Sequence, residues 1–333
     1  MDRGRRCEQR GWLRPCSSSR RPFRPAPIRA APAASTGGTY RGADPMGLLW
    51  SMAPPRGDAD RDAFRSRDPQ AEAAFEVRLT ASAGDAGINT TLRRRWLLPG
   101  VTHRPLALAS DGLIGDLYLP AGDRTNRPVL VFGGSEGGNA QKWTAALLAS
   151  HGHPALSLAY FGEPGLPPTL NDVPLEYFTR AARLLGGRTG TVAVVGYSRG
   201  TEAALLLAQR HPDLIGGVVV YAPTDLVYGG YPEKSRPAWT DAGRAVPLGR
   251  IAVDRVSGPV LAITGGEDRL WDSTGAAGAW LPGFPACSSC TIRRPVMASA
   301  PFRICPPAPI WLRRAAARGR RIRLPALTAG RAC

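Results

Sequence analysis

A serine between two glycines is the residue whose type and surroundings best fit nucleophilic chemistry. Residues 196–200 read Gly-Tyr-Ser-Arg-Gly and have the form G-x-S-x-G. The β-branched run TVAVVG leads into this motif and the helical pattern TEAALLLAQRH leaves it, which is the strand-turn-helix context of a nucleophile elbow. On such an elbow the hydroxyl of Ser198 projects above the strand at the positive end of a helix, where it can attack an acyl carbon. The alternative is a serine in an ordinary strand-to-helix turn.

A serine that attacks an acyl group also needs N–H donors for the oxyanion that develops. The backbone N–H of Arg199 is predicted to be the first donor, because it follows the nucleophile. The second is expected from the glycine-rich loop GGSEGG at residues 133–138, where the N–H of Ser135 or Glu136 is the candidate. A phosphate-binding loop is the alternative, but GGSEGG lacks the lysine of a P-loop and the glycine order of G-x-G-x-x-G.

The acid that would complete this constellation is predicted to be Asp268. It lies in PVLAITGGEDRLWDS, just past a predicted strand, where the acid of a Ser–Asp–His order is expected. Its task would be to hold the tautomer of a histidine and to stabilise the imidazolium. Glu267 and Asp272 are alternatives, and a solvated turn carboxylate is the non-catalytic interpretation.

The histidine of the triad is missing. The order Ser, Asp, His places the base beyond Asp268, but no histidine follows His211. His151, His153 and His211 are predicted at the opposite edge of the sheet from Ser198, about 18 Å away for His151, and His103 precedes the predicted sheet. We therefore expect negligible turnover, because removing the histidine of such a triad costs about 10⁶ in kcat.

The elements around these residues predict an α/β fold. From about residue 112 short apolar runs alternate with helical patterns, which indicates βαβ units and a doubly wound, mostly parallel sheet. The predicted strands are PVLVFGG, ALSLAYFG, TVAVVG, GGVVVYA and PVLAITGG, and the predicted helices are AQKWTAALLASH, PLEYFTRAARLLGG and TEAALLLAQRH. Ahead of them, residues 71–120 contain FEVRLTA, TTLRRRWLL, RPLALAS and GLIGDLYLP, which predict a small β unit.

The two ends of the chain differ from its middle. The 333 residues carry a net charge of +17, which would ordinarily suggest an anionic partner. Residues 1–41 hold ten arginines against Asp2 and Glu8, and the chain after Asp272 holds ten arginines and no acid. We interpret both tails as disordered or out of the natural reading frame; a mitochondrial transit peptide and a phosphate-binding tail are the alternatives. The tails also hold all the cysteines: Cys7, Cys16, Cys287, Cys290, Cys305 and Cys333.

Composition narrows the class further. A hydrophobic fraction of 43% is enough for a sizeable core, and no apolar run approaches the roughly 20 residues of a membrane helix. The pair Cys287–Cys290 has zinc-knuckle spacing but no second pair, so no metal site is predicted. A cytoplasmic protein that needs no cofactor and binds no nucleic acid is expected. The sequence leaves its oligomeric state open.

Seven stretches together resemble the family of acyl-CoA thioesterases and bile acid-CoA:amino acid N-acyltransferases. They are GADPMGLLWSM, TTLRRRWLLPGV, GLIGDLYLP, VLVFGGSEGG, LAYFGEPGLPPTL with PLEYF, VVGYSRGTEAAL and ITGGEDRLWDS. The resemblance implies an N-terminal β-sandwich, an α/β-hydrolase domain, Ser198 as nucleophile, Asp268 as acid, and an acyl-CoA substrate whose coenzyme A is the only cofactor-like group. The acyltransferases of the family favour cysteine at the nucleophile, so Ser198 favours hydrolysis. An N-acyltransferase, a dienelactone-hydrolase-like esterase and a non-catalytic remnant are the alternatives.

The resulting domain prediction has four parts. They are a basic tail at residues 1–35, a shortened β-sandwich at 36–105, an α/β-hydrolase domain at 106–282 that is incomplete at its end, and a second basic tail at 283–333. We attribute the missing histidine to a shifted reading frame near residues 273–283. We also expect that the final strand is lost, which would leave the VLAIT strand close to a sheet edge and favour aggregation.

Overall fold

The computed structural model describes residues 74–122, 126–187, 190–256, 258–266, 268 and 270–280, together with the backbone of 288–292. The two predicted tails lie mostly or wholly outside these residues. So do the first half of the predicted β-sandwich, Glu267 and Cys287. The division into four domains therefore stays a prediction.

An eight-stranded sheet forms the centre of the fold. Its spatial order is β15-β14-β9-β8-β5-β6-β4-β3. All neighbouring strands pair in parallel except at β4, which is antiparallel to both β3 and β6. The strands are β3 (Thr102–Leu106), β4 (Ile114–Leu119), β5 (Val129–Phe132), β6 (Ala155–Ala159), β8 (Val192–Tyr197), β9 (Ile215–Tyr221), β14 (Val260–Gly265) and β15 (Ser288–Ile292).

Helices cover both faces of this sheet. In β5, Leu130 and Phe132 point into the larger core, whereas Val129 and Val131 face the other side. A strand that is buried on both faces reads as a continuous apolar run, and burying each such side chain contributes roughly 1.5–3 kcal/mol. The helices are α1 (Leu108–Asp111), α2 (Lys142–Ser150), α3 (Leu175–Gly186), α4 (Gly200–Arg210) and α5 (Ser273–Trp280).

The bounds of α3 follow from its sequence. Pro174 precedes the helix in an extended conformation, and Gly187 follows it with a φ of +62°, which favours glycine. Glu176 lies in the first turn and Arg183 in the last, so both charges complement the helix dipole. The predicted start at Pro174 and end at Gly186 and Gly187 are confirmed.

Shorter strands lie outside the large sheet. A hairpin of β1 and β2 packs through Trp96, whose ring lies 5.5 Å from Phe75 and 4.6 Å from Trp143 at the start of α2. Another segment, residues 222–256, follows β9 and was not predicted to hold strands. The short elements are β1 (Ala74–Ala83), β2 (Ala86–Arg95), β7 (Val173–Pro174), β10 (Leu226–Val227), β11 (Trp239–Asp241), β12 (Arg244–Ala245), β13 (Gly249–Arg250) and a 3₁₀ turn (Val253–Arg255).

Three predictions about the edges of the sheet are wrong. β3 and β4, from RPLALAS and GLIGDLYLP, belong to the large sheet and not to a separate β unit. His103 therefore lies within the sheet and does not precede it. Pro105 is compatible with this position because an edge strand does not need every N–H donor. The final strand is also present, since β15 pairs in parallel with β14.

Candidate active site

Ser198 occupies a strained turn between β8 and α4. Its φ is +52°, a left-handed value that is uncommon for a residue with a side chain, and 7% of its surface is exposed. A Cβ added to Gly196 would lie 2.6 Å from the carbonyl oxygen of Gly200, and one added to Gly200 would overlap that of Gly133. Only glycine fits at both positions, so the sequence motif and the geometry of a nucleophile elbow agree.

This crowding predicts that a side chain at Gly200 destabilises the fold. The Gly200→Ala substitution is expected to lower the free energy of unfolding by about 1–3 kcal/mol, because the new methyl group must displace backbone. Gly278 in α5 is a matched control, since a Cβ there meets nothing within 4 Å, and Gly278→Ala should stabilise by about 0.4–1 kcal/mol. Urea unfolding of both variants measures the difference. Equal effects at the two positions would contradict the packing described for the elbow.

The predicted oxyanion loop lies against the elbow. A Cβ on Gly134 would come within 2.7 Å of Ser198 Cβ, so glycine is needed there for the two segments to approach. The buried Tyr160 hydroxyl lies 3.0 Å from the carbonyl oxygen of Gly133 and 2.8 Å from that of Gly134, and so fixes the loop. Burial raises the pKa of Tyr160 well above its ordinary value, which keeps this donor protonated. Sequence reasoning had not identified Tyr160.

The two candidates for the second donor, Ser135 and Glu136, are exposed in this loop. The Glu136 carboxylate folds back and accepts a hydrogen bond of 2.9 Å from the Gly134 N–H. For the first donor, Arg199, the described part of the chain supplies no acceptor to the backbone N–H. That N–H therefore remains available to a substrate oxygen.

The side chain of Arg199 forms a buried ion pair that the sequence did not predict. It is buried and pairs with Glu202, one turn along α4, whose side chain is fully buried. Burial raises the pKa of Glu202, and the Arg199 charge and the donors of Trp239 and Tyr228 oppose that shift. A charged residue in the otherwise apolar helix pattern TEAALLLAQ is the signal that could have identified Glu202.

Asp268 lies just past β14 and has one satisfied and one unsatisfied carboxylate oxygen. Oδ1 accepts hydrogen bonds from the N–H groups of Leu270, at 3.0 Å, and Trp271, at 3.4 Å. Oδ2 is buried and has no hydrogen-bond partner among the described residues. A buried oxygen without a donor is costly.

Asp272, the alternative acid, has another task. Its Oδ1 accepts a 2.8 Å hydrogen bond from the N–H of Gly275 in the first turn of α5. This is the bond made by a helix-capping side chain. Asp268 is therefore the better candidate for the acid. Glu267 lies outside the described residues.

Three of the predicted segments follow strands that end at the same edge of the sheet. β5 pairs in parallel with β8, β8 with β9, and β9 with β14, so the oxyanion loop, the elbow and the acid loop all lie along the carboxyl edge. Burial raises the pKa of Tyr197, and the negative charges of Glu136 and Asp268 raise it further.

None of the four histidines, all of which are described, lies at that edge. His151 follows α2, and His153 leads into β6 with its Nδ1 2.9 Å from the Arg127 carbonyl oxygen. His211 follows α4, so these three lie at the amino ends of strands. His103 on β3 lies four strand positions from β8, roughly 19 Å at the usual strand spacing, and 2.5 Å from Asp116 Oδ1.

A cavity of about 450 Å³ lies elsewhere, between α3 and the end of α4. Charged groups of both signs surround it, and none of them is a predicted site residue. Its lining residues are Glu176, Thr179, Arg180, Arg183, His211 and Asp241.

No described helix is long and apolar enough to cross a membrane. No group of three or more His, Cys, Asp or Glu side chains among these residues could hold a metal ion.

The sheet and the elbow together show the structural class of this protein. A mostly parallel eight-stranded sheet with one antiparallel strand, covered by helices and carrying a strained serine between strand and helix, is the arrangement of an α/β-hydrolase. The predicted fold class is confirmed.

Comparison with known proteins shows which proteins this chain resembles. Residues 27–107 match the family described as the acyl-CoA thioester hydrolase/BAAT N-terminal region. Acyl-coenzyme A thioesterase 6 of Mus musculus is 33% identical over 195 residues, which cover 55% of this chain and 44% of the relative. The human bile acid-CoA:amino acid N-acyltransferase is 34% identical over 194 residues, 53% of this chain and 45% of the relative. The predicted resemblance is confirmed: the chain is similar to acyl-CoA thioesterases and to a bile acid-CoA:amino acid N-acyltransferase.

The chain spans about half the length of the curated relatives it matches. Among solved structures, a thioesterase domain from the curacin biosynthetic pathway aligns with a TM-score of 0.42 at 13% identity, over 58% of this chain and 93% of that domain.

Proposed function

We propose that this chain is built to hydrolyse acyl-CoA thioesters through Ser198, and that the 333-residue polypeptide is impaired because it supplies no general base. The hydroxyl oxygen would attack the thioester carbon, coenzyme A would leave as the thiol, and water would then release the acyl group. The N–H groups of Arg199 and of Ser135 or Glu136 would stabilise the oxyanion. Asp268 would orient and charge-stabilise a histidine.

One observation carries this proposal most directly. The carboxylate of Asp268 presents Oδ2, a buried oxygen without a described partner, at the same edge of the sheet as the elbow that carries Ser198. The relatives named as acyl-CoA thioesterases support the thioester as substrate.

Water is the proposed acyl acceptor, because the nucleophile is a serine. An amine acceptor is the alternative that the relative named as an N-acyltransferase keeps open. Product analysis after incubation with an acyl-CoA and an amino acid distinguishes the two, since an amide forms only if the amine is the acceptor.

Added imidazole tests the proposal. A free imidazole that donates to Asp268 Oδ2 and accepts the Ser198 proton replaces the missing side chain, and a positioned general base contributes about 10²–10⁴ in rate. We expect imidazole to accelerate thiol release from a long-chain acyl-CoA by on the order of 10², because binding of a free base is incomplete.

Two variants control this experiment. Ser198→Ala should abolish the imidazole-dependent rate, and Asp268→Asn should lose most of it. If imidazole accelerates all three proteins equally, the effect is solution catalysis and Ser198 is not the nucleophile.

The cause of the missing histidine is a separate hypothesis. We propose a shifted reading frame near residues 273–283, and sequencing of the gene and of its transcript tests it. Location in the cytoplasm and independence of a cofactor also stay predictions.

A further inference from the structure

A stacked aromatic pair, of which Tyr228 is exposed and Trp271 half-buried, lies beside the proposed active site. The rings of Tyr228 and Trp271 are stacked with centroids 6.3 Å apart and planes 10° from parallel. Tyr228 is 39% exposed and the neighbouring Leu270 is 71% exposed. Large apolar side chains that remain in water next to each other commonly mark a binding surface.

Both residues of the pair contact residues of the proposed mechanism, Trp271 through its backbone and Tyr228 through its ring. The N–H of Trp271 donates to Asp268 Oδ1, and its indole N–H donates to the Ala222 carbonyl oxygen at 3.1 Å. The guanidinium carbon of Arg199, the residue after Ser198, lies 5.8 Å from the centre of the Tyr228 ring. The pair therefore spans from the nucleophile elbow to the acid loop.

The backbone under Tyr228 is held by a buried ion pair. Arg199 donates to the carbonyl oxygens of Gly229, at 2.8 Å, and Tyr228, at 3.3 Å. Glu202 Oε2 accepts from the Tyr228 N–H at 3.2 Å and from the Trp239 indole N–H at 2.8 Å. Because Arg199 and Glu202 are themselves buried on α4, the segment that carries Tyr228 is fixed to the elbow.

A rigid, flat and mainly apolar surface next to a thioester-cleaving serine fits the part of the substrate that has no polar groups. Resting on the proposed function, we infer that Tyr228 and Trp271 bind the acyl chain of the thioester, and that Arg199 and Glu202 act as positioning residues for this surface. The coenzyme A part, which is polar and carries phosphates, lies outside it.

The inference predicts which part of the binding affinity depends on the two rings. Burying one methylene group contributes about fourfold in affinity. Coenzyme A that carries a dodecyl chain should therefore bind much more tightly than free coenzyme A, if the chain lies along the rings. The Tyr228→Ala and Trp271→Ala variants should each lose roughly tenfold in the affinity for the alkylated ligand. Their affinity for free coenzyme A should remain unchanged.

Isothermal titration of the full chain with coenzyme A and with S-dodecyl-CoA, a thioether that cannot be hydrolysed, measures both affinities. Tyr231→Ala is the matched control, because Tyr231 is 51% exposed on the same segment and has no ring partner among the described residues. Tyr228→Phe and Trp271→Phe keep an aromatic surface and should keep the preference for the alkylated ligand even where an alanine variant folds poorly.

The inference is overturned if both alanine variants keep that preference, or if their affinity for coenzyme A falls by the same factor, since the rings would then bind the nucleotide part. It is also overturned if the chain binds neither ligand. The proposed function is judged separately by the imidazole-dependent rate, which requires Ser198 and Asp268 but not the chain-length preference.

Discussion

The Ser198→Cys variant is expected to react once with an acyl-CoA and to become acylated, although the unaltered chain does not. A thiolate attacks a thioester carbon without a general base: its bond to carbon forms, the bond to the coenzyme A sulfur breaks, and coenzyme A leaves as a thiolate that takes a proton from water. Free cysteine has a pKa of about 8.5, and a helix N-terminus lowers it. Position 198 lies next to Arg199, the N-cap of α4, so an appreciable thiolate fraction is expected near pH 8.

Mass spectrometry of the intact variant should show one added acyl group, with release of one equivalent of thiol. Hydrolysis of this adduct should be slow, because activating water needs the same missing base. The six native cysteines are internal controls after peptide mapping. We expect the peptide that contains position 198 to be acylated about 10²-fold faster, the usual contribution of an oxyanion donor. Acylation of the native cysteines alone, in a folded variant, would contradict the elbow as an acyl-transfer site.

The Arg199→Met variant is expected to lose about 3–5 kcal/mol in the free energy of unfolding. Methionine fills similar space but leaves the fully buried Glu202 carboxylate without its cation. The carbonyl oxygens of Tyr228 and Gly229 also lose their donor. Urea unfolding followed by circular dichroism measures this loss.

Two further variants separate the buried pair from a general charge effect. Arg250 is exposed and lies 3.5 Å from Asp225, so Arg250→Met should change the free energy of unfolding by no more than about 0.5 kcal/mol. Adding Glu202→Leu to Arg199→Met removes the stranded charge and should recover part of the loss. Recovery stays incomplete because the Trp239 and Tyr228 donors lose their acceptor. Equal losses in the free energy of unfolding for Arg199→Met and Arg250→Met would show that the buried Arg199–Glu202 pair does not stabilise the fold.

Local patterns predicted the fold where a buried strand or helix carries a continuous signal. PVLVFGG and TVAVVG are apolar on both faces and end in glycines, and both are strands of the central sheet. Residues 222–256 were missed because their strands are only two or three residues long, and such short bridges have no periodicity. The prediction that the final strand is lost was wrong because it depended on the composition of the segment, which differs from that of the preceding chain. Pairing with β14 uses backbone groups that any residue supplies.

The site was predictable to the extent that it depends on chain order. Ser198 and Asp268 each follow a strand, and parallel strands place their carboxyl ends on one edge. The contacts of Arg199 and Glu202 with Tyr228 were not predictable, because they join residues far apart in sequence through side-chain geometry. The stacking of Tyr228 on Trp271 is of the same kind. His103 was misplaced because RPLALAS and GLIGDLYLP indicate short strands in sequence but do not show which sheet those strands join.

Thiol release from a long-chain acyl-CoA by the unaltered 333-residue chain, beside its Ser198→Ala variant and without imidazole, tests the central claim most directly. Because Ser198 lies on a nucleophile elbow but has no proton acceptor, we expect the two proteins to be equally inactive. Rapid release by the unaltered chain that disappears in the variant would contradict the account, since Ser198 would then have a base that these residues do not supply.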